Sequence, residues 1–134
     1  MAKPNQSVQR FRRLTQVLKR EVHDVAVEEL NVQADQLANL IESVAPKFEG
    51  KLAHSVRKVP GKRDTQVRIV AGGKLTIRPS VSSKPFDYAR ADEFGTQRMA
   101  AKPFFFPTYR LRKKKIISAI KRRITKAIKE RSAE

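Results

Sequence analysis

Residues 5–45 contain neither glycine nor proline. Within them Phe11, Leu14, Leu18, Val22, Val25, Ala26, Leu30, Ala34, Leu37, Ile41 and Val44 recur at steps of three and four. That is the helical period, and nothing in the span breaks it before Pro46. Unbroken, the helix would be on the order of 55 Å long, and a domain containing it must lay its other elements along one rod. The polarity changes at Glu21 and a junction falls at Asn31-Val32, so a bent helix or two helices also fit. Val22, Val25, Val27 and Val32 are weak helix formers near the middle. Basic residues at the N-terminal end oppose the helix dipole, which suits either a solvated end or an outside partner.

The second constraint is the stretch Lys84–Tyr109, which holds five of the seven phenylalanines and both tyrosines. Pro85, Gly95, Pro103 and Pro107 punctuate it and limit its backbone path. Residues 87–94 suit a short helix, with Asp87 as N-cap and Gly95 as the closing residue of positive φ. Phe86 and Phe94 would share its face. Residues 100–107 should be extended, since the residue before a proline is pushed out of the helical region. Pro107 suits the first turn of a following helix. The rings, Phe94 and Phe104 foremost, are expected in the core, with part of the cluster free to serve as a contact between copies.

Leu52–Val59 suits a strand or a short helix, and Pro60-Gly61-Lys62-Arg63-Asp64 is a turn cluster. Gln66–Val70 and Lys74–Arg78 alternate, and Ala71-Gly72-Gly73 between them predicts a hairpin over 66–78. Val67, Ile69, Leu75 and Ile77 would form its buried face, with Arg68, Thr76 and Arg78 outward. Pro79–Pro85 is a serine-rich loop. After Thr108 an apolar stripe of Ile116, Ile117, Ile120, Ile124, Ala127 and Ile128 predicts a helix over 108–131, docked on the sheet or on the long helix. Residues 131–134 should fray.

The whole is expected to be a single α+β domain spanning 1–134. Its parts are a loose end (1–7), a helical segment (8–45), a small antiparallel sheet (46–85), an aromatic connector (86–107) and a basic C-terminal helix (108–131).

The net charge of +17 is unevenly spread. Residues 1–20 have six basic and no acidic side chains, whereas residues 21–45 have six acids and no Lys or Arg. The excess therefore lies after residue 45, and Tyr109–Arg131 alone has eleven basic side chains against one acid. Such a field favours polyanions and repels copies of itself. Lys113, Lys114, Lys115, Lys121, Arg122 and Arg123 are the candidate contacts to DNA or to an acidic partner.

Catalysis is not expected. His23 and His54 lack metal-ligand spacing, adjacent Asp92 and Glu93 diverge on a helix, and Gly72-Gly73 lacks the context of a phosphate loop. No cofactor is expected. Asp87, Asp92 and Glu93 are the only acids between Asp64 and Glu130. A surface role suits Asp87, and an ion pair, within or between subunits, suits Glu93. With no cysteine, no long apolar run and no signal-type N-terminus, the chain is expected in a cytoplasm, and no membrane partner is expected. The basic helix lacks the aromatic anchors that membrane-surface helices use.

The ordered segments Tyr88-Ala…Glu93-Phe94-Gly95-Thr96 and Ala101-Lys102-Pro103-Phe104-Phe105…Pro107 resemble the tailed-phage head–tail joining proteins typified by gene product ten of phage HK97. Ala45-Pro46, Gly50, Leu52 and Ser55 match a stretch upstream in that family, so the resemblance spans residues 45–107. Asp92 and Thr108 stand where the family has a small apolar residue and commonly an alanine. The resemblance implies a virion protein of the neck or tail, made in a host cytoplasm. It would assemble as a homo-oligomeric ring, six- or twelve-fold, between connector and tail proteins, with DNA passing through. The aromatic segment, Tyr88, Glu93, Phe94, Phe104, Phe105 and Phe106, would then supply subunit contacts. A second reading is a plain nucleic-acid-binding protein acting by phosphate neutralisation, although no helix-turn-helix, zinc or RNA-recognition pattern is present.

Overall fold

The computed structural model describes residue 3 and residues 5–47, 50–78 and 86–132. The fold is α+β. Helix α1 (Gln6–Val44) is one unbroken rod of 39 residues, so neither Glu21 nor Asn31 interrupts it. Ala45 turns extended (φ −61, ψ 142), the conformation that Pro46 imposes on its predecessor. A short helix α2 (Lys51–Ser55) leads directly into strand β1 (Arg57–Pro60), so both alternatives for Leu52–Val59 are realised, one after the other.

Strand β2 (Val67–Val70) pairs antiparallel with β1 in the register Arg57↔Val70 to Pro60↔Val67. This corrects the expected hairpin over 66–78. The connection is the Pro60–Asp64 cluster, closed by Gly61 N–H donating to Gln66 O (3.0 Å) and Gln66 N–H to Arg63 O (3.1 Å). Residues 73–77 instead form a tight turn, with the N–H groups of Thr76 and Ile77 both donating to Gly73 O. Leu75 and Ile77 are consequently exposed, whereas Thr76, expected outward, is fully buried. Strand β3 (Ile77–Arg78) pairs antiparallel with β4 (Phe86–Asp87). The loop Pro79–Pro85 lies outside the described residues, as do the side chains of Arg78 and Phe86.

Helix α3 (Tyr88–Phe94) follows β4, and helix α4 (Phe106–Ser132) closes the fold, starting two residues earlier than expected. It packs antiparallel along α1, as Arg112–Gln36 (3.3 Å) and Arg131–Glu21 (3.2 Å) mark at its two ends. The apolar stripe therefore docks on the long helix. Ile116, Ile120, Ile124 and Ala127 are half-buried there, whereas Ile117 and Ile128 remain exposed. Arg131 was expected to fray, but it is helical and paired.

Leu37, Ile41, Ala45, Leu52, Val56, Ala89 and Phe104 form the core, with Ile69, Ala71, Tyr88, Phe105 and Ile116 packed around them. It sits where the C-terminal half of α1 meets α2, α3 and the start of α4. The β1–β2 hairpin leans on α1 through His23–Asp64 (2.7 Å) and Lys58–Asp35 (2.8 Å), surface pairs that contribute little stability. Among the described residues no helix is long and apolar enough to cross a membrane.

Candidate functional site

The two motifs of the aromatic segment are assembled from α3 outward. Asp87 is the N-cap of α3: its Oδ1 accepts from the Ala89 N–H (3.0 Å) and from the Thr76 hydroxyl (2.7 Å). Asp87 is thus a structural cap and not a surface carboxylate. Gly72 lies against it, and a Cβ there would come within 2.9 Å of its carboxylate. The far end of α3 closes on Gly95 with φ 76, a conformation that favours glycine. A Cβ at Gly95 would also sit 2.9 Å from the Ala101 nitrogen. The chain then reverses through a turn in which Thr96 N–H donates to Met99 O (2.9 Å) and Lys102 N–H to Asp92 O (2.6 Å).

That reversal brings residues 104–106 beside Glu93. Glu93 Oε2 accepts from the N–H groups of Phe104 (2.8 Å) and Phe105 (2.9 Å), and Oε1 accepts from Phe106 N–H (3.0 Å). The first turn of a helix leaves such donors without intrahelical partners, and its positive dipole end favours a negative charge. Glu93, only 8% exposed, therefore caps α4 from the preceding helix. This corrects the expected ion pair, because its partners are backbone amides. Thr108 adds an inward bond, its hydroxyl donating to Phe104 O (2.6 Å). Neighbouring Asp92 has its pKa raised, chiefly because burial disfavours the charged form, with Lys102 acting in the opposite sense.

The rings divide. Phe104 lies in the core and meets Phe105 edge-on at 6.3 Å; Phe105 meets Phe106 at 5.3 Å and Phe106 meets Phe94 at 6.0 Å. Phe94 was expected in the core but is 65% exposed; the buried residues of α3 are Ala89, Ala91 and Glu93. Of the six candidate subunit contacts, Tyr88, Glu93 and Phe104 serve the interior and Phe105 is half-buried. Phe94 and Phe106 (45% exposed) present an apolar surface. They edge an open cleft lined also by Val70, Ala71 and Ala89.

The basic residues of α4 also divide. Lys114, Lys115, Lys121 and Arg122 are exposed on the side away from the Ile116/Ile120/Ile124 stripe, and Lys129 extends that line. Lys113 is exposed nearer the stripe, and Arg123 is half-buried. None of these six candidates makes an ion pair among the described residues. Lys114, Lys115 and Arg122 edge a cleft shared with Gln33 and Gln36 of α1. Arg112, not singled out from the sequence, joins them and donates to Gln36. Its spacing of four from Ile116 was the signal that it faces α1 rather than the solvent. His23 pairs with Asp64, and His54 lies on α2 rather than in a strand. No cluster of potential metal ligands occurs among the described residues. Comparison with protein-family models, with curated proteins and with solved structures returns no match to this chain.

Proposed function

We propose that this chain is a structural protein of a phage head–tail junction, a neck or tail-completion component whose copies form a ring around a DNA passage. The observation that supports this most is the bond set of Glu93. The resemblance rests on two separated segments, one ending Glu93-Phe94-Gly95 and one built on Pro103-Phe104. The Glu93 carboxylate holds the backbone of the second segment, so the two form a single unit with a mechanical purpose. That unit fixes the start of α4 on the body while leaving Phe94 and Phe106 outward for a neighbouring subunit. The basic line on α4 then faces DNA in the passage or an acidic rim of an adjacent ring, and either would offset repulsion between copies of net charge +17.

Mass in solution together with negative-stain imaging tests the ring: closed assemblies of defined copy number are expected. Changing Lys113–Lys115 and Lys121–Arg123 to Ser or Gln is expected to reduce both DNA affinity and particle assembly, and no change in either would refute that role. The runner-up, a monomeric protein that neutralises phosphates, draws on the same unpaired basic line. A single-copy mass with salt-steep DNA binding would favour it.

A further inference from the structure

Helix α1 outruns its partner. Helix α4 reaches Ser132, and Arg131 meets Glu21, so α1 residues 6–17 extend past the described end of α4 and are exposed throughout. The apolar stripe does not stop where α4 does. The seam through Val25, Val22 and Leu18 continues at helical spacing to Leu14 (53% exposed) and Phe11 (70% exposed). No other segment among the described residues covers it. Arg10, Arg12 and Arg13 surround it, and no acid occurs before Glu21.

A complementary surface lies at the base of this arm. A groove between α1 and α4 is floored by Val25 and Ala127 and edged by Glu21, Asp24, Glu130 and Arg131; Arg131 pairs with Glu21, and Glu130 is approached only loosely by exposed Lys126 (3.9 Å). Asp24 has no partner among the described residues. The arm cannot reach the groove of its own chain, because it continues the same unbroken helix that forms one wall of that groove and has no break at which to fold back. Two arms side by side would set arginines against arginines. We propose that the Phe11/Leu14 face of one copy's arm docks in the acidic groove of a second copy. Phe11 and Leu14 cover the Val25/Ala127 floor while the arm's arginines meet Asp24 and Glu130. The contact joins different surfaces, so it propagates head to tail and closes into a ring if the rotation allows. It deepens the ring reading by naming one contact between copies.

The test measures solution mass against concentration for the full chain and three variants, with circular dichroism as the check on folding. R10E/R12E/R13E reverses the arm, D24K/E130K reverses the groove, and F11S/L14S removes the apolar face without changing charge. Each variant is expected to raise the concentration for half-assembly by about tenfold or more. An equimolar mixture of the two charge-reversed variants is expected to recover assembly, because every contact can then pair opposite charges. Added salt should weaken the unaltered contact. Variants that assemble like the parent would overturn the contact while leaving a closed ring standing. Open filaments lost in the variants would uphold the contact and overturn the ring, whereas closed two-fold dimers would overturn the head-to-tail contact. A parent chain that stays monomeric overturns both, and arm-dependent binding to vesicles of anionic lipid without self-association overturns the contact.

Discussion

Glu93 does for α4 what a serine or aspartate at the N-cap does for most helices, but from a different element. Replacing it with alanine leaves the amides of Phe104, Phe105 and Phe106 short of an acceptor at a site only 8% exposed. Buried donors stripped of a charged acceptor are costly, and Glu93→Ala should destabilise the fold by about 3 kcal/mol in denaturant unfolding. Glu93→Gln keeps an acceptor oxygen and should lose roughly half as much. Gly95→Ala places a Cβ on a backbone with φ 76 and against the Ala101 nitrogen, a strain of about 1–3 kcal/mol by the same measurement. Asp92 answers to pH. Its raised pKa means that, above the ordinary 3.8, the folded state holds a proton the unfolded state has released. Stability therefore falls as pH rises through that window, and the charged form opposes folding at neutral pH. Asp92→Asn should raise the unfolding midpoint at neutral pH, and the gain should vanish below 3.8. The roles of Asp87 and Pro107 were legible because capping and first-turn preferences are local. The role of Glu93 was not, because its partners lie eleven to thirteen residues further on, across a turn whose direction no local preference sets.

Along α1 the same helical period serves two environments, and substitution should separate them. Ile41 is completely buried against α2 and α4, so Ile41→Ala should cost about 2–5 kcal/mol of fold stability. Leu14, in the projecting arm, touches no core residue of its own chain, so Leu14→Ala should change unfolding of the unassembled chain, at concentrations below assembly, by no more than about 0.5 kcal/mol. Any larger loss in folding would place the arm inside the domain. Periodicity made both helices readable, since spacing survives whatever packs on it. It could not say where α1 loses its partner, because that depends on the relative lengths and register of two helices far apart in sequence. The strands failed for a different reason. Gly72-Gly73 reads as a hairpin turn, yet Gly72 is small because Asp87 and Ala89 crowd it, while its N–H donates to the Ser55 hydroxyl oxygen (2.9 Å). Those demands come from tertiary neighbours. With the glycines so used, Val67–Val70 pairs backward with Arg57–Pro60, whose strand character is masked by the short helix before it.

For the molecule as a whole, charge is the property most directly tied to a partner. The excess was plain in the sequence, but its geometry depended on which side of α4 faces α1. Lys114, Lys115, Lys121 and Arg122 are exposed off the Ile116/Ile120/Ile124 stripe that packs on α1, with about 10 Å between the two basic pairs along the axis. If these four contact phosphates, changing them to Ser or Gln should lower the slope of log affinity against log salt by up to about 3.6, at roughly 0.9 per contact for duplex DNA. Changing Lys113 and Arg123 instead should move the slope less, because Arg123 is half-buried and Lys113 lies nearer the packed stripe. The measurement is a salt titration of DNA binding for both variant sets and the unaltered chain. An equal fall per charge removed in the two sets would mean that the charge acts as a diffuse field and that the line has no privileged contact. If neither slope moves while assembly of particles still fails in the four-residue variant, the outward line meets an acidic protein rim, since a contact that releases no DNA counterions cannot be made to phosphates.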